Sequence, residues 1–336
     1  MYNLVTYCSY RLKGFAGAVL ATFLFILPSY LLILSLSWIY FKYGSVSWVH
    51  PLFIALEAMV VGVISHVFLD FANRYASDRR GALLASTAFI LLVFKIHALY
   101  VILIASILSI ILFHDQKDVK RQVAKEKGFV PGKFSQRVAS EVVVSLGFVV
   151  ILLFGLLNNS LYSKLMFSMF KVGAVAFGNA FTIMPLLQQE VVFTHHWLTM
   201  KEFADGIAFG QITPGPFLIT ATFIGYKVAG IWGSILATLG MFYPSFFYTI
   251  VFTEIYGRIK DNQWIQIAIK GIMGAFTGMI FFVTLSLAKT SLESSATYIW
   301  AVAPFLLVRY YKISLLKIFI IGITFAWIAY LAGNLI

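Results

Sequence analysis

Charge is scarce in this chain. Only 11% of its 336 residues are Asp, Glu, Lys or Arg, and there is one cysteine, Cys8. A single thiol excludes an internal disulfide and any multi-cysteine metal site. So few charges exclude the solvated surface of a soluble globular protein. Also missing are a phosphate-binding glycine loop, a catalytic-triad spacing, an HExxH pair and a CxxC. A membrane-embedded enzyme therefore has no constellation to work with. No cofactor or metal is expected, and energy from ATP would have to come from another chain. No cleavable signal peptide is visible, and the first long apolar run reads as a permanent span.

What the chain has in abundance is apolar sequence: 61% hydrophobic, 17% aromatic, with a mean hydropathy of +0.91. Runs of membrane-spanning length recur at Phe15–Tyr40, Leu52–Leu69, Val138–Leu157, Ile231–Phe252, Ile265–Ala288 and Leu315–Leu331. A helix of about 20 apolar residues crosses the hydrocarbon core. The runs are continuous rather than alternating, which excludes a porin-like barrel. The expected fold class is an all-α, multi-pass (polytopic) membrane protein in the lipid bilayer. The net charge of +12 then marks cytoplasmic loops rather than a nucleic-acid surface, because the basic residues sit in short loops between spans.

The sequence repeats itself at an offset of 216 residues. "YRLKGFAGAVLATFLFILPSY" from Tyr10 falls on "YKVAGIWGSILATLGMFYPSF" from Tyr226. The register brings together Gly14 with Gly230, Pro28-Ser29 with Pro244-Ser245, Tyr40 with Tyr256, and Gly62 with Gly278. Gly, Pro and Tyr matches are not what apolar spans produce by chance. In the first copy the middle loop carries Arg74, Arg79 and Arg80. In the second it is the flanking loops that are basic, with Arg258, Lys260, Arg309 and Lys312. By the positive-inside rule the copies face opposite ways, which predicts an inverted-repeat transporter. The expected division is a partial first repeat (1–113), a basic cytoplasmic linker (114–137) and a complete second repeat (138–336). The register places Met1 on Phe217, so the first copy has no counterpart of roughly Leu165–Pro216. Either the chain is a fragment or the protein dispenses with that part of its symmetric core.

The most informative stretch breaks a helix inside an apolar run: "FADGIAFGQITPGPFLITATF". Irregular backbone at membrane depth is tolerated where it is buried in protein or lines a cavity. Gly210 is read as ending one half-helix. Thr213 is read as the N-cap of the next, with Pro214 in its first turn and Gly215 leaving the backbone open to a ligand. Free N–H groups and the dipole at such a terminus bind anions. Pro216 completes the break, and Gln211, Thr220 and Thr222 offer side-chain hydrogen bonds. A second irregular segment, "FKVGAVAFGNAFTIMPLLQQEVV", precedes it. There Phe177, Gly178 and Asn179 form a candidate second wall, and Lys171 either supplies positive charge or snorkels to the interface. Glu190 and Asp205 are the proton-coupling candidates, ahead of Glu57; their alternative role is to sit at the water interface. His195 and His196 are adjacent, which does not place both rings on one helical face.

The segment "FGNAFTIMPLLQQEVV", followed by Trp197-Leu198-Thr199, Glu202-Phe203, Asp205-Gly206, Gly210-Gln211 and Thr213–Pro216, resembles the chromate ion transporter family. So do Gly225-Tyr226, Gly230, Gly233, Ala237-Thr238 and Pro244-Ser245. Tyr10 to Ser29 is similar to the latter part of that family's other domain. The resemblance implies an inner-membrane carrier of inorganic oxyanions, chromate and sulfate, associated with chromate efflux. Asn179 departs from the family's glycine run, and the first domain's own FGG and PGP segments have no counterpart. Single-domain members are thought to pair, so a homodimer is implied. The rival expectation is a non-transporting sensor or assembly protein derived from a carrier.

Overall fold

The computed structural model describes residues 1–43, 50–113, 160–176, 180–259 and 263–331. The 114–137 linker, the Val138–Leu157 run and Phe177–Asn179 lie outside the described residues. Among the described residues there is no strand. The helices are α1 (Tyr2–Tyr43), α2 (His50–Tyr75), α3 (Arg79–Val93), α4 (Ala98–Phe113), α5 (Leu161–Ala174), α6 (Met184–Gln188), α7 (Met200–Ile212), α8 (Thr220–Ile259), α9 (Gln263–Ser291), α10 (Ser295–Tyr311) and α11 (Leu315–Leu331). Among the described residues, four segments are long and apolar enough to cross a membrane: Tyr2–Tyr43, Leu52–Tyr75, Phe217–Val251 and Trp264–Ser291. Large apolar side chains such as Leu20, Phe23, Ile107, Ile299 and Phe325 are exposed. That outside is as apolar as the core and suits lipid rather than water. The protein is an all-α membrane protein.

Helices α1 and α8 are each two arms folded about a glycine. At Gly14 (φ 65°, ψ −156°) and Gly230 (φ 61°, ψ −148°) the backbone leaves the helix. That region is essentially reserved for glycine. Thr6 bonds Thr22 across the first bend at 2.9 Å, and Thr222 bonds Thr238 across the second at 2.7 Å. A straight helix would hold residues 16 apart at about 24 Å, so each bend is a reversal. Two glycines make the second one tight: a Cβ on Gly225 would strike the Gly233 carbonyl, and the converse also holds. The long arms of α1 and α8 run antiparallel, with Phe15 against Phe246 and the Tyr30 hydroxyl 2.9 Å from that of Ser234.

The helices after each hairpin interlock. Gly62 of α2 packs against the backbone of Ala301 in α10, and Gly278 of α9 packs against that of Ala85 in α3. These four positions obey the same 216-residue offset, so each copy uses its glycine to receive the other's helix.

Two bundles result. α1, α5 and α8 pack together; α2–α4 pack with α9–α11. Among the described residues the bundles share few direct contacts. They are bridged by α6, α7 and the turns beside them. These bridging elements fill the seam between the bundles, and the expected break follows α7 on the side of α1 and α8.

Candidate functional site

Helix α7 starts on a reciprocal cap. The Thr199 hydroxyl accepts from the Glu202 N–H (3.2 Å), and the Glu202 carboxylate accepts from the Thr199 N–H (2.8 Å). It ends at Ile212 because each residue before a proline is driven out of the helical region. Thr213, before Pro214, is extended (φ −78°, ψ 134°). Pro216 is extended in turn, and regular structure resumes only with a 3₁₀ turn at Phe217–Ile219 that leads into α8 at Thr220.

The break is where the sequence put it, but three assignments within it change. Thr213 is not an N-cap: its hydroxyl donates backward to the carbonyls of Phe209 (3.1 Å) and Gly210 (3.4 Å), closing α7. Pro214 does not open the next helix, because Pro216 forbids it. Gly210 lies inside α7, where a Cβ would collide with the Thr220 hydroxyl. Gly215 also serves packing. A Cβ there would overlap Ser29 of α1, whose hydroxyl donates to the Pro214 carbonyl at 2.6 Å. Thr220 and Thr222 spend their hydroxyls locally, on the Phe217 carbonyl (2.9 Å) and on Thr238.

A cavity of about 670 Å³ opens beside this break. Gln211 and Pro214–Leu218 form one wall; Tyr2, Asn3 and Phe25 of α1 with Ser245 of α8 form the facing one. Ala176 and Phe181 also line it. The polar groups offered are the Gln211 amide, Asn3, the Ser245 hydroxyl and the backbone of the turn. No Lys or Arg is among the described lining residues.

The predicted charge, Lys171, is elsewhere. It reaches both oxygens of Glu190 at 2.7 and 2.8 Å. Glu190 lies in a π-helical turn (Gln189–Thr194) and is 1% exposed. It also accepts from Ser168 of α5 and lies 3.2 Å from His97 Nε2 and 3.6 Å from His195 Nε2. His195 in turn stacks on Trp197 at 4.3 Å. Among the described residues no group of His, Cys, Asp and Glu has the geometry of a metal site.

Asp205 is also buried, at 2% exposure, but keeps different company. Tyr40 of α1 donates to its Oδ2 at 2.7 Å, while Oδ1 has no hydrogen-bond partner. The Tyr40 ring is boxed by Phe41, Phe53, Phe209 and Phe223. Glu57 of α2 is buried too, and accepts from Ser291 at 3.2 Å. Sequence reasoning missed Tyr40, Ser168 and His97. The repeat register marked Tyr40, through Tyr256, but gave it no partner.

Spanning helices, a seam between two bundles and a cavity at a broken helix describe a multi-pass membrane protein of transporter type. The family model described as "Chromate transporter" matches residues 1–110 and 163–329. The chain belongs to the chromate transporter family. It is 29% identical to an uncharacterized transporter of Methanocaldococcus jannaschii over 334 residues, 97% of this chain and 80% of that protein. It is 28% identical to the chromate transport protein of Cupriavidus metallidurans over 313 residues, 93% of this chain and 75% of that one. A chromate transport protein of Pseudomonas aeruginosa is 24% identical over 87% of the chain and 68% of its own length. No solved structure matches.

Proposed function

We propose that this chain carries a tetrahedral oxyanion, chromate or sulfate, outward across the cytoplasmic (inner) membrane, binding it in the cavity beside the Thr213–Pro216 break. The observation that carries this reading is the cavity itself. It sits where two prolines have released backbone from helical bonding, and the N–H groups at the start of a helical turn lack partners within it. With the Gln211 amide and the Ser245 hydroxyl they offer uncharged donors to a dianion. Outward movement is favoured by a negative interior, at about 2.3 kcal/mol per charge per 100 mV.

The antiparallel long arms and the exchanged glycine contacts support two copies facing opposite ways, 1–113 and 138–336, joined by the cytoplasmic linker 114–137. Arg80 and Lys270 support it as well, since both lie over the Phe113 ring, at 5.9 and 4.3 Å. The first copy's middle loop thus shares a face with the N-terminal part of α9. Because the copies interlock, the moving units are the two bundles rather than the two repeats.

The test is labelled chromate uptake into everted membrane vesicles, with excess sulfate as competitor. A Gln211→Leu variant is expected to lower uptake about tenfold, which corresponds to roughly 1.4 kcal/mol. No uptake by the native chain present in the membrane, or uptake indifferent to Gln211 and to sulfate, defeats the proposal.

A further inference from the structure

Among the described residues, Glu190 and Asp205 are buried acids at the seam between the bundles, and they differ in that Glu190 has a counter-charge beside it. Glu190 joins Lys171 and Ser168 of one bundle to His97 of the other, so its negative charge is matched where it stands. Asp205 joins Tyr40 of one bundle to a helix packed against α2, α9 and α11 of the other. Among the described residues its surroundings supply no free cation. On its own helix, Lys201 is bound to Glu293 at 2.9 Å and Glu202 to Lys227 of α8 at 2.7 Å. From α2 comes another acid, Glu57, held by Ser291 of α9. From α11 the lysine is Lys317, which is exposed, as is Lys289 of α9. From α1 comes the neutral Tyr40. A carboxylate in that position is buried, uncompensated, and has one oxygen with nothing to accept from, which is costly. A proton on Oδ1 removes the charge.

We infer that Asp205 is the proton-carrying group of this protein, with Tyr40 as its positioning residue, while Glu190 is a fixed ionic strut. Oδ1 binds one proton to give the neutral acid and releases it to restore the carboxylate. The hydroxyl of Tyr40 stays on Oδ2 and reports that change to α1. Each state asks for a different distance between the bundles, because only the charged state attracts water or a cation into the seam. In its coupling to anion movement the inference rests on the carrier reading above; the protonation itself does not.

Infrared difference spectroscopy of the full chain in lipid nanodiscs, titrated with acid and base, tests this directly. A carbonyl stretch from a buried carboxylic acid is expected in the native chain and in Glu190→Gln, and is expected to vanish in Asp205→Asn. In Tyr40→Phe the band should move to higher frequency, as a carbonyl freed of its donor does. A band that survives Asp205→Asn, or that ignores Tyr40→Phe, overturns the inference. In vesicles, chromate flux through Asp205→Asn should not respond to an imposed pH gradient, and a response equal to the native one overturns the coupling role. Native protein that shows the acid band but moves no oxyanion defeats the carrier reading and leaves the protonation site standing.

Discussion

Glu190 and Asp205 are both nearly inaccessible carboxylates, 15 positions apart, both at the seam between the two bundles, and yet they are built for opposite purposes. Glu190 is surrounded by donors: an ammonium, a hydroxyl and two imidazoles. Asp205 has one phenol, whose own ring is packed among aromatic side chains. A buried charge that is matched resists change, because removing either partner strands the other. A buried acid without a match resists being charged. Burial alone therefore does not nominate a proton carrier; the nominee is the acid whose neighbours have no charge to lend.

That contrast can be broken experimentally, beginning with the largest effect. Lys171→Met leaves Glu190 alone and is expected to cost on the order of 3 kcal/mol, read as a drop in melting temperature in detergent. Adding Glu190→Gln should recover most of it, and a double variant no better than the single one would mean the pair is not a compensated unit. Ser168→Ala removes a hydrogen bond to a charged acceptor and should cost about 2 kcal/mol. Tyr40→Phe removes one to a neutral acid and should cost about 1 kcal/mol. If the tyrosine variant costs as much as the serine variant, Asp205 is ionised at rest and the contrast fails. The smallest effect belongs to Asp205→Asn, which keeps shape and polarity and should change stability by less than about 0.5 kcal/mol. A larger loss would assign Asp205 a structural charge.

Much of the architecture was legible in the sequence because it rests on local physics. Two prolines two residues apart, at 214 and 216, drive the residues before them out of the helical region, whereas the lone Pro28, Pro244 and Pro304 stay within helices. A glycine matched at 14 and 230 marks a backbone region closed to other residues, and the same dihedral angles occur at both. Pairings between distant elements were not legible. Lys171 reads as a free cation until the fold brings Glu190 to it. Gly215 reads only as an opening for a ligand until Ser29 arrives from α1 to pack against it as well. Thr213 was misjudged for a local reason that was available: a proline two residues beyond Pro214 denies the helix its first turn, and the hydroxyl turns back to the carbonyls behind it. Contacts between the copies, such as Gly62 with Ala301, were not legible either, because nothing local announces them.

The exchanged glycine contacts also constrain how the protein is made. Gly62 waits for Ala301, and the hydroxyl of Tyr2 waits for Phe242, 240 positions downstream. Chain grows at about 5–20 residues per second, so the first helices spend roughly 10 to 50 seconds in the bilayer before their partners exist. During that interval the small-residue face of α2 is open to any neighbouring helix. Each half of the chain depends on the other for its final packing, so halves produced from separate messages would have to find each other in the membrane before either matured. Loss of the C-terminal helices α10 and α11 should therefore unsettle α2 as much as any substitution within α2 itself.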